Sequence, residues 1–125
     1  MAKRGFTLTE LLITLVILAV LAAIALPNFQ KTADKVRLKE AVAALHSIRA
    51  GEKMYFSRNG TYVDCGSAAD IKNLLGVEVA ENTYRFSVNG ASAASFNAIA
   101  KKTTCLSWNV KIDQAGVQGV NSLCS

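Results

Sequence analysis

The chain opens with one long apolar segment. From Phe6 to Leu26, 21 successive residues contain one carboxylate and three threonines as their only polar members. A stretch of about 20 apolar residues is long enough to cross the hydrocarbon core of a bilayer as a helix. Pro27 follows directly and closes the segment. The pattern therefore predicts a hydrophobic helix suited to a membrane.

Charges near the start of this segment indicate its orientation in a membrane and include one carboxylate that a membrane helix would not be expected to contain. Lys3 and Arg4 precede it, and cytoplasmic flanks of membrane helices carry an excess of such residues. Glu10 lies inside the segment, close to the same end. A carboxylate at the bilayer centre costs on the order of 3 kcal/mol and usually marks a function. A plain membrane anchor explains the two cations but gives no reason for Glu10.

From Asn28 the sequence turns polar but keeps a helical period. Apolar residues recur at spacings of three, four and seven, which predicts one buried helix face; they are Leu38, Val42, Leu45, Ile48 and Tyr55. The helix is predicted to run from near Phe6 to near Ser57 and to stop at Arg58-Asn59-Gly60. Pro27 lies inside it and lacks a backbone N–H, so a kink or local melting is expected over 22–27.

Strand signals dominate the last third of the chain. Tyr84–Val88 and Trp108–Ile112 alternate apolar and polar residues, and Phe96–Ala100 does so less cleanly. Asn89-Gly90 is a strong turn signal, and Asp113–Gly116 forms a second turn. A three- or four-stranded antiparallel meander is the simplest arrangement of these segments.

The predicted fold class is therefore α+β. A long N-terminal α-helix, kinked near Pro27, packs against a C-terminal antiparallel sheet of three or four strands. The sheet residues expected to face the helix are Tyr84, Phe86, Val88, Trp108, Val110 and Ile112.

The residues around Glu10 also form a specific motif. Lys3-Arg4-Gly5-Phe6-Thr7-Leu8-Thr9-Glu10, followed by a long apolar helix and Pro27, resembles the N-terminus of a type IV prepilin. That family includes the type II secretion pseudopilins. The resemblance implies that a membrane peptidase cleaves after Gly5 and methylates the new N-terminal residue, Phe6. Thr9 departs from the family pattern, which more often has a branched aliphatic residue there, but a threonine can return its hydroxyl to a helix carbonyl.

The resemblance implies three regions and a function. Residues 1–5 would be a leader that is removed, 6–27 a transmembrane and filament-core helix, and 28–125 a globular domain that includes the C-terminal half of the helix. The implied function is a structural subunit of a type IV pilus, held in the inner membrane and then assembled into a helical filament of identical subunits on the cell surface.

Further partners follow from the same resemblance. They are the prepilin peptidase, the pilus assembly machinery and minor pilins, while nucleic acid stays an open question. A type II secretion pseudopilin and a minor pilin are the alternative functions, and a membrane-anchored binding module that does not assemble is less favoured.

Three residues are implied in assembly: Phe6, Glu10 and Pro27. Cleavage creates an amine on Phe6 that can pair with Glu10 of a neighbouring subunit. Pairing within one chain is the alternative, because these two residues are about one helical turn apart. Melting of the helix before Pro27 during assembly is also implied, with a simple bend in a membrane helix as the alternative.

The three cysteines, Cys65, Cys105 and Cys124, cannot all pair within one chain. Compartments outside the cytoplasm permit disulfides, and the residues alone allow three pairings. The resemblance favours Cys105–Cys124, because pilins often close a C-terminal region in this way. Cys65–Cys124 is the competing pair. The remaining thiol is expected to be buried rather than reactive.

No set of residues indicates catalysis or a metal centre. His46 is the only histidine, and neither a Cys-x-x-Cys pair nor a phosphate-binding glycine loop occurs. The protein is therefore expected to be neither an enzyme nor a carrier of a metal or other cofactor. Major pseudopilins commonly hold calcium with carboxylates of their C-terminal loops, whereas Asp113 is the only acidic residue after Glu81. That scarcity favours a pilin over a pseudopilin.

Overall fold

The structure, a computed structural model, describes residues 4–121, apart from the side chains of residues 106, 118 and 121. The fold is α+β, as predicted. The chain consists of two compact units, and the boundary between them lies between Val36 and Arg37. The elements, in chain order, are helix α1 (Leu8–Asn59), helix α2 (Ala68–Asp70), a π-helical turn (Ile71–Leu75), and strands β1 (Tyr84–Asn89), β2 (Asn97–Lys102), β3 (Cys105–Asp113) and β4 (Val117–Asn121).

The N-terminal unit contains the apolar part of α1. Every large apolar side chain from Phe6 to Phe29 is more than half exposed. By length and composition, α1 includes a segment able to cross a membrane, and none of that segment is buried in the subunit. The helix continues without interruption through Pro27. The expected local melting is therefore not present in the free subunit, while the kink stays a prediction.

The C-terminal unit is built on an antiparallel meander with the strand order β1-β2-β3-β4. The register places Phe86 opposite Ala100, and Ala100 opposite Val110. Because side chains alternate between the faces of a sheet, these residues share one apolar face. The prediction of three or four antiparallel strands is confirmed with four.

That apolar face packs on the part of α1 that lies in the same unit. The buried cluster includes three residues of α1 and most of the inward positions of β1, β2 and β3: Ala41, Leu45, Ile48, Tyr84, Phe86, Val88, Ala98, Ala100, Val110 and Ile112. Leu38, Val42 and Trp108 are partly buried against it. The predicted helix and sheet faces thus form the core, where removal of apolar surface from water drives folding.

One predicted strand residue instead belongs to a loop. Phe96 directly precedes β2 and is fully buried, with its ring centroid 4.8 Å from that of Tyr62. Gly90 has a φ of +67°, which suits glycine at the turn predicted there. The connection from β1 to β2 nevertheless extends to Phe96, so Asn89-Gly90 does not form a two-residue hairpin.

The segment after α1 is held on both sides. Cys65 and Val88 exchange two backbone hydrogen bonds of 3.0 and 2.7 Å, which cover the free edge of β1. On the helix side, Glu52 accepts a hydrogen bond of 3.1 Å from the backbone N–H of Val63. Although Glu52 is one of the polar positions of the helical pattern, it is fully buried.

Candidate functional site

The start of α1 is fixed by Thr7. Its Oγ1 accepts a hydrogen bond of 3.2 Å from the backbone N–H of Glu10, and its carbonyl accepts the N–H of Leu11 at 3.2 Å. These two bonds are the mark of an N-cap residue, whose side chain satisfies one of the unpaired N–H groups of the first turn. Residues 4–7 therefore lie outside the helix.

The Thr9 hydroxyl also contacts this cap. It donates to Thr7 Oγ1 over 3.3 Å rather than to a helix carbonyl. Thr14 does make such a bond, to the carbonyl of Leu11 at 2.8 Å. The two hydroxyls have different acceptors because Thr9 lies beside the cap oxygen, whereas Thr14 lies about one turn further along the helix.

The bond between Gly5 and Phe6 lies in open surroundings. A Cβ built on Gly5 would meet no atom within 4 Å, and Gly5 does not have a positive φ. Nothing in the described chain therefore requires glycine at this position. The Phe6 side chain is 80% exposed.

Glu10 is exposed in the first turn of α1. An acidic side chain there is favourable, because the unpaired N–H groups give the helix N-terminus a partial positive charge. Within residues 4–121, Glu10 forms no salt bridge. The structure thus gathers Gly5, Phe6 and Glu10 at one end of α1, with Pro27 further along the same helix.

Comparisons with known proteins agree with this arrangement. Residues 1–26 match the family model described as the prokaryotic N-terminal methylation motif. Residues 27–118 match the model described as type IV minor pilin ComP, DNA uptake sequence receptor. The chain belongs to the type IV pilin family.

Several curated relatives are bacterial pilins. The chain is 32% identical over 119 residues to the type IV wide pilus major component PilA4 of Thermus thermophilus, covering 95% of this chain and 88% of that one. It is 42% identical over 62 residues to the type IV major pilin protein PilA of Myxococcus xanthus, covering 50% of this chain but 28% of that protein. A type II secretion system core protein G from Pectobacterium carotovorum is 37% identical over 60 residues, or 48% of this chain and 38% of that one.

Two of the three cysteines of this pilin, Cys65 and Cys105, lie among the described residues. Cys65 is a free, fully buried thiol. Its pKa is raised to about 11, chiefly by burial and further by the nearby carboxyl groups of Glu52, Asp70 and Asp64. Cys124 lies outside the described residues, so the Cys105–Cys124 pairing stays a prediction. The expectation that the remaining thiol is buried holds for Cys65.

The outward face of the pilin sheet carries three exposed cations: Arg85, Lys101 and Lys111. Arg85 lies directly opposite Lys101 in the β1–β2 register, an arrangement that is unfavourable for like charges. None of the three forms a salt bridge within the described chain. This face is therefore a candidate surface for an anionic partner.

Two features of the site escaped the sequence analysis. The first is the cap at Thr7, which the spacing Thr7-x-x-Glu10 could have indicated, since a threonine three residues before a glutamate is typical of a helix start. The second is the cation pair of the sheet, which needed the strand register, because Arg85 and Lys101 are far apart in sequence.

Proposed function

We propose that this protein is a structural subunit of a type IV pilus that waits in the inner membrane and then assembles into a surface filament. The supporting observation is that every large apolar side chain over Phe6–Phe29 is more than half exposed. An exposed apolar surface of this size needs a cover. The bilayer provides one before assembly, and the helices of neighbouring subunits provide one afterwards.

A filament rather than a closed oligomer follows from the geometry of such a contact. When identical subunits associate head to tail and the rotation does not close, they form an open helical array. The apolar helices would bundle at the centre, and the C-terminal units would lie outside.

We propose that cleavage after Gly5 and methylation of Phe6 precede assembly. The match of residues 1–26 to a methylation motif supports this step, as does the open Gly5–Phe6 bond. Because the described chain itself does not require glycine at position 5, the requirement belongs to the peptidase. Gly5→Val should leave the precursor uncut in the membrane.

Cleavage also creates the missing partner for Glu10. The new Phe6 amine of one subunit would pair with Glu10 of another, since Glu10 has no ion pair in residues 4–121. Opposite charges attract more strongly in an apolar surrounding than in water, and an unpaired charge there is costly. Melting of α1 before Pro27 would let the helices adjust to their neighbours in the filament.

The test is a count of sheared surface filaments by electron microscopy, with mass spectrometry of the subunit. Glu10→Ala should leave membrane insertion intact, because it removes a charge from the apolar segment, yet abolish or strongly reduce filaments. Glu40→Ala is the matched control, since Glu40 is another exposed acid on α1. Wild-type filament yield from Glu10→Ala would refute the pairing, and an intact Met1 terminus in filaments would refute the processing.

A minor pilin that binds DNA is the second candidate function. The matched family model is described as a DNA uptake sequence receptor, and the three outward cations of the sheet would suit a phosphate backbone. Immunogold labelling separates the two roles, because a major subunit decorates the whole filament and a minor one only scattered points. Lys101→Glu should weaken DNA binding and reduce its salt dependence, whereas Lys72→Glu, in the π-helical turn outside the sheet, should not.

A further inference from the structure

We infer that Thr7 is a positioning residue for precursor cleavage: its N-cap ends α1 and keeps the Gly5–Phe6 bond outside the helix. The inference rests on the proposed cleavage after Gly5. It assigns no contact between Thr7 and the peptidase, because Thr7 acts through the conformation of the bond that is cut.

The hydrogen bonds at the cap determine where α1 begins. The N–H of Glu10 donates to the side chain of Thr7 at 3.2 Å. In a helix that began further toward the N-terminus, the same N–H would donate instead to the carbonyl of Phe6, four residues back. Thr7 Oγ1 thus takes the place of that carbonyl, and the helix begins at Leu8.

The Gly5–Phe6 amide, which cleavage must reach, is not part of the helical hydrogen bonding. Within residues 4–121, the carbonyls of Gly5 and Phe6 accept no backbone hydrogen bond, and the first such acceptor is Thr7. Hydrolysis adds water across the Gly5–Phe6 amide, which leaves a carboxylate on Gly5 and an amine on Phe6. An amide that is not tied into a helical turn can be bound in the conformation that this addition needs.

Without the Thr7 cap, α1 would begin nearer the N-terminus. Glycine is nearly as good an N-cap as threonine, so Gly5 is the next available helix start. If α1 began there, Phe6 would become the first helical residue, and the Gly5 carbonyl would accept an intrahelical bond. The bond to be cut would then have to unwind before cleavage.

The experiment measures cleavage of the full-length precursor in detergent by a purified prepilin peptidase. Thr7→Val keeps the shape of the side chain but removes the oxygen, and should lower kcat/KM by about 2- to 30-fold, the range expected for loss of a cap. Thr7→Ser and Thr7→Asn both restore a cap and should cleave at least as fast as the wild type. Thr14→Val is the control for loss of a hydroxyl that does not contact the cap, because the Thr14 hydroxyl donates to the carbonyl of Leu11.

Amide hydrogen exchange provides a readout that cleavage alone does not. In the wild type, the Phe6 and Thr7 amides should exchange freely while the Glu10 amide is protected. In Thr7→Val, the helix start should move to Gly5, so protection from exchange should extend to an amide on the N-terminal side of Glu10.

The outcomes separate this inference from the proposed function. Cleavage of the wild type after Gly5 with equal rates for all Thr7 variants would overturn the inference alone. So would faster cleavage of Thr7→Val, or failure of Thr7→Asn when Thr7→Ser succeeds, because the peptidase would then be reading the threonine side chain itself. A wild-type precursor that is not cut after Gly5 would overturn both proposals.

Discussion

Arg49 of α1 donates two hydrogen bonds to the backbone carbonyl of Gln114, from Nε at 3.3 Å and from Nη2 at 2.7 Å. Gln114 lies in the turn between β3 and β4. The turn is itself closed by Asp113, whose Oδ1 accepts the N–H groups of Ala115 and Gly116. One helix side chain thus ties the last hairpin of the sheet to α1.

Removing this tie should loosen the hairpin. Hydrogen bonds from a charged donor are worth roughly 1.5–3 kcal/mol, so Arg49→Ala should lower the free energy of unfolding by about that amount. Hydrogen exchange should show faster exchange at the Asp113 amide, which donates to Gly116 across the turn. Lys53→Ala, an exposed cation on the same helix, is the control. Equal effects of the two substitutions would mean that the contact adds no stability.

Glu52 should make the stability of the folded chain depend on pH. Burial raises the pKa of this carboxyl above its ordinary value of 4.5; the hydrogen bond from Val63 opposes the rise, and the charge of Asp64 adds to it. Its Oε1 is buried and has no hydrogen-bond partner among the described residues. The folded state therefore holds the proton at pH values where the unfolded chain has released it.

The direction in which stability changes with pH follows from proton linkage. Above the pKa of the unfolded chain the folded state binds more protons, so stability falls as the pH rises through the folded pKa. Chemical denaturation from pH 4 to pH 8 should show this decline, and Glu52→Gln should flatten it because glutamine does not ionise. Glu40→Gln, at an exposed position, should keep the wild-type slope. A Glu52→Gln profile parallel to the wild type would contradict the prediction.

Gly51 should tolerate no side chain while its neighbours stay in place. It is buried, and a Cβ there would lie 2.9 Å from Val77 Cγ2 and 3.0 Å from Leu75 Cβ. Gly51→Ala gains about 1 kcal/mol of helix propensity but creates overpacking that typically costs about 1–3 kcal/mol. We expect a net loss of stability in thermal unfolding. Val77→Ala in the same chain removes the nearer atom and should recover part of the loss.

The cysteines should behave differently from one another. Alkylation at pH 8 should label Cys65 only after unfolding, because this thiol is buried and its pKa is raised to about 11. Rapid labelling of Cys65 in the folded protein would contradict its burial.

The Cys105–Cys124 bridge is tested by non-reducing peptide mapping. A crosslink that closes a loop of about 20 residues is worth roughly 3 kcal/mol. Cys105→Ser should therefore lower subunit abundance, whereas Cys65→Ser should leave filaments near normal. A crosslinked peptide that contains Cys65 as the main species would overturn the pairing.

The sequence alone determined the elements that depend on local pattern. The apolar run over Phe6–Leu26, the helical spacing of Leu45 and Ile48, and the alternation in Tyr84–Val88 each follow from the geometry of one helix or strand, so they can be read without knowing the rest of the chain. The motif around Glu10 was equally local, and it was sufficient to predict the family.

Only the tertiary structure decided which distant residues meet. Helical spacing places Glu52 on the same face of α1 as Leu45 and Ile48, but the partner of its carboxylate, the backbone N–H of Val63, depends on where the chain returns to the helix. The same holds for Arg49 with Gln114, which are 65 residues apart, and for the contact of Phe96 with Tyr62. These pairings depend on loop paths, and a loop path is set by the packing of the whole unit rather than by its own residues.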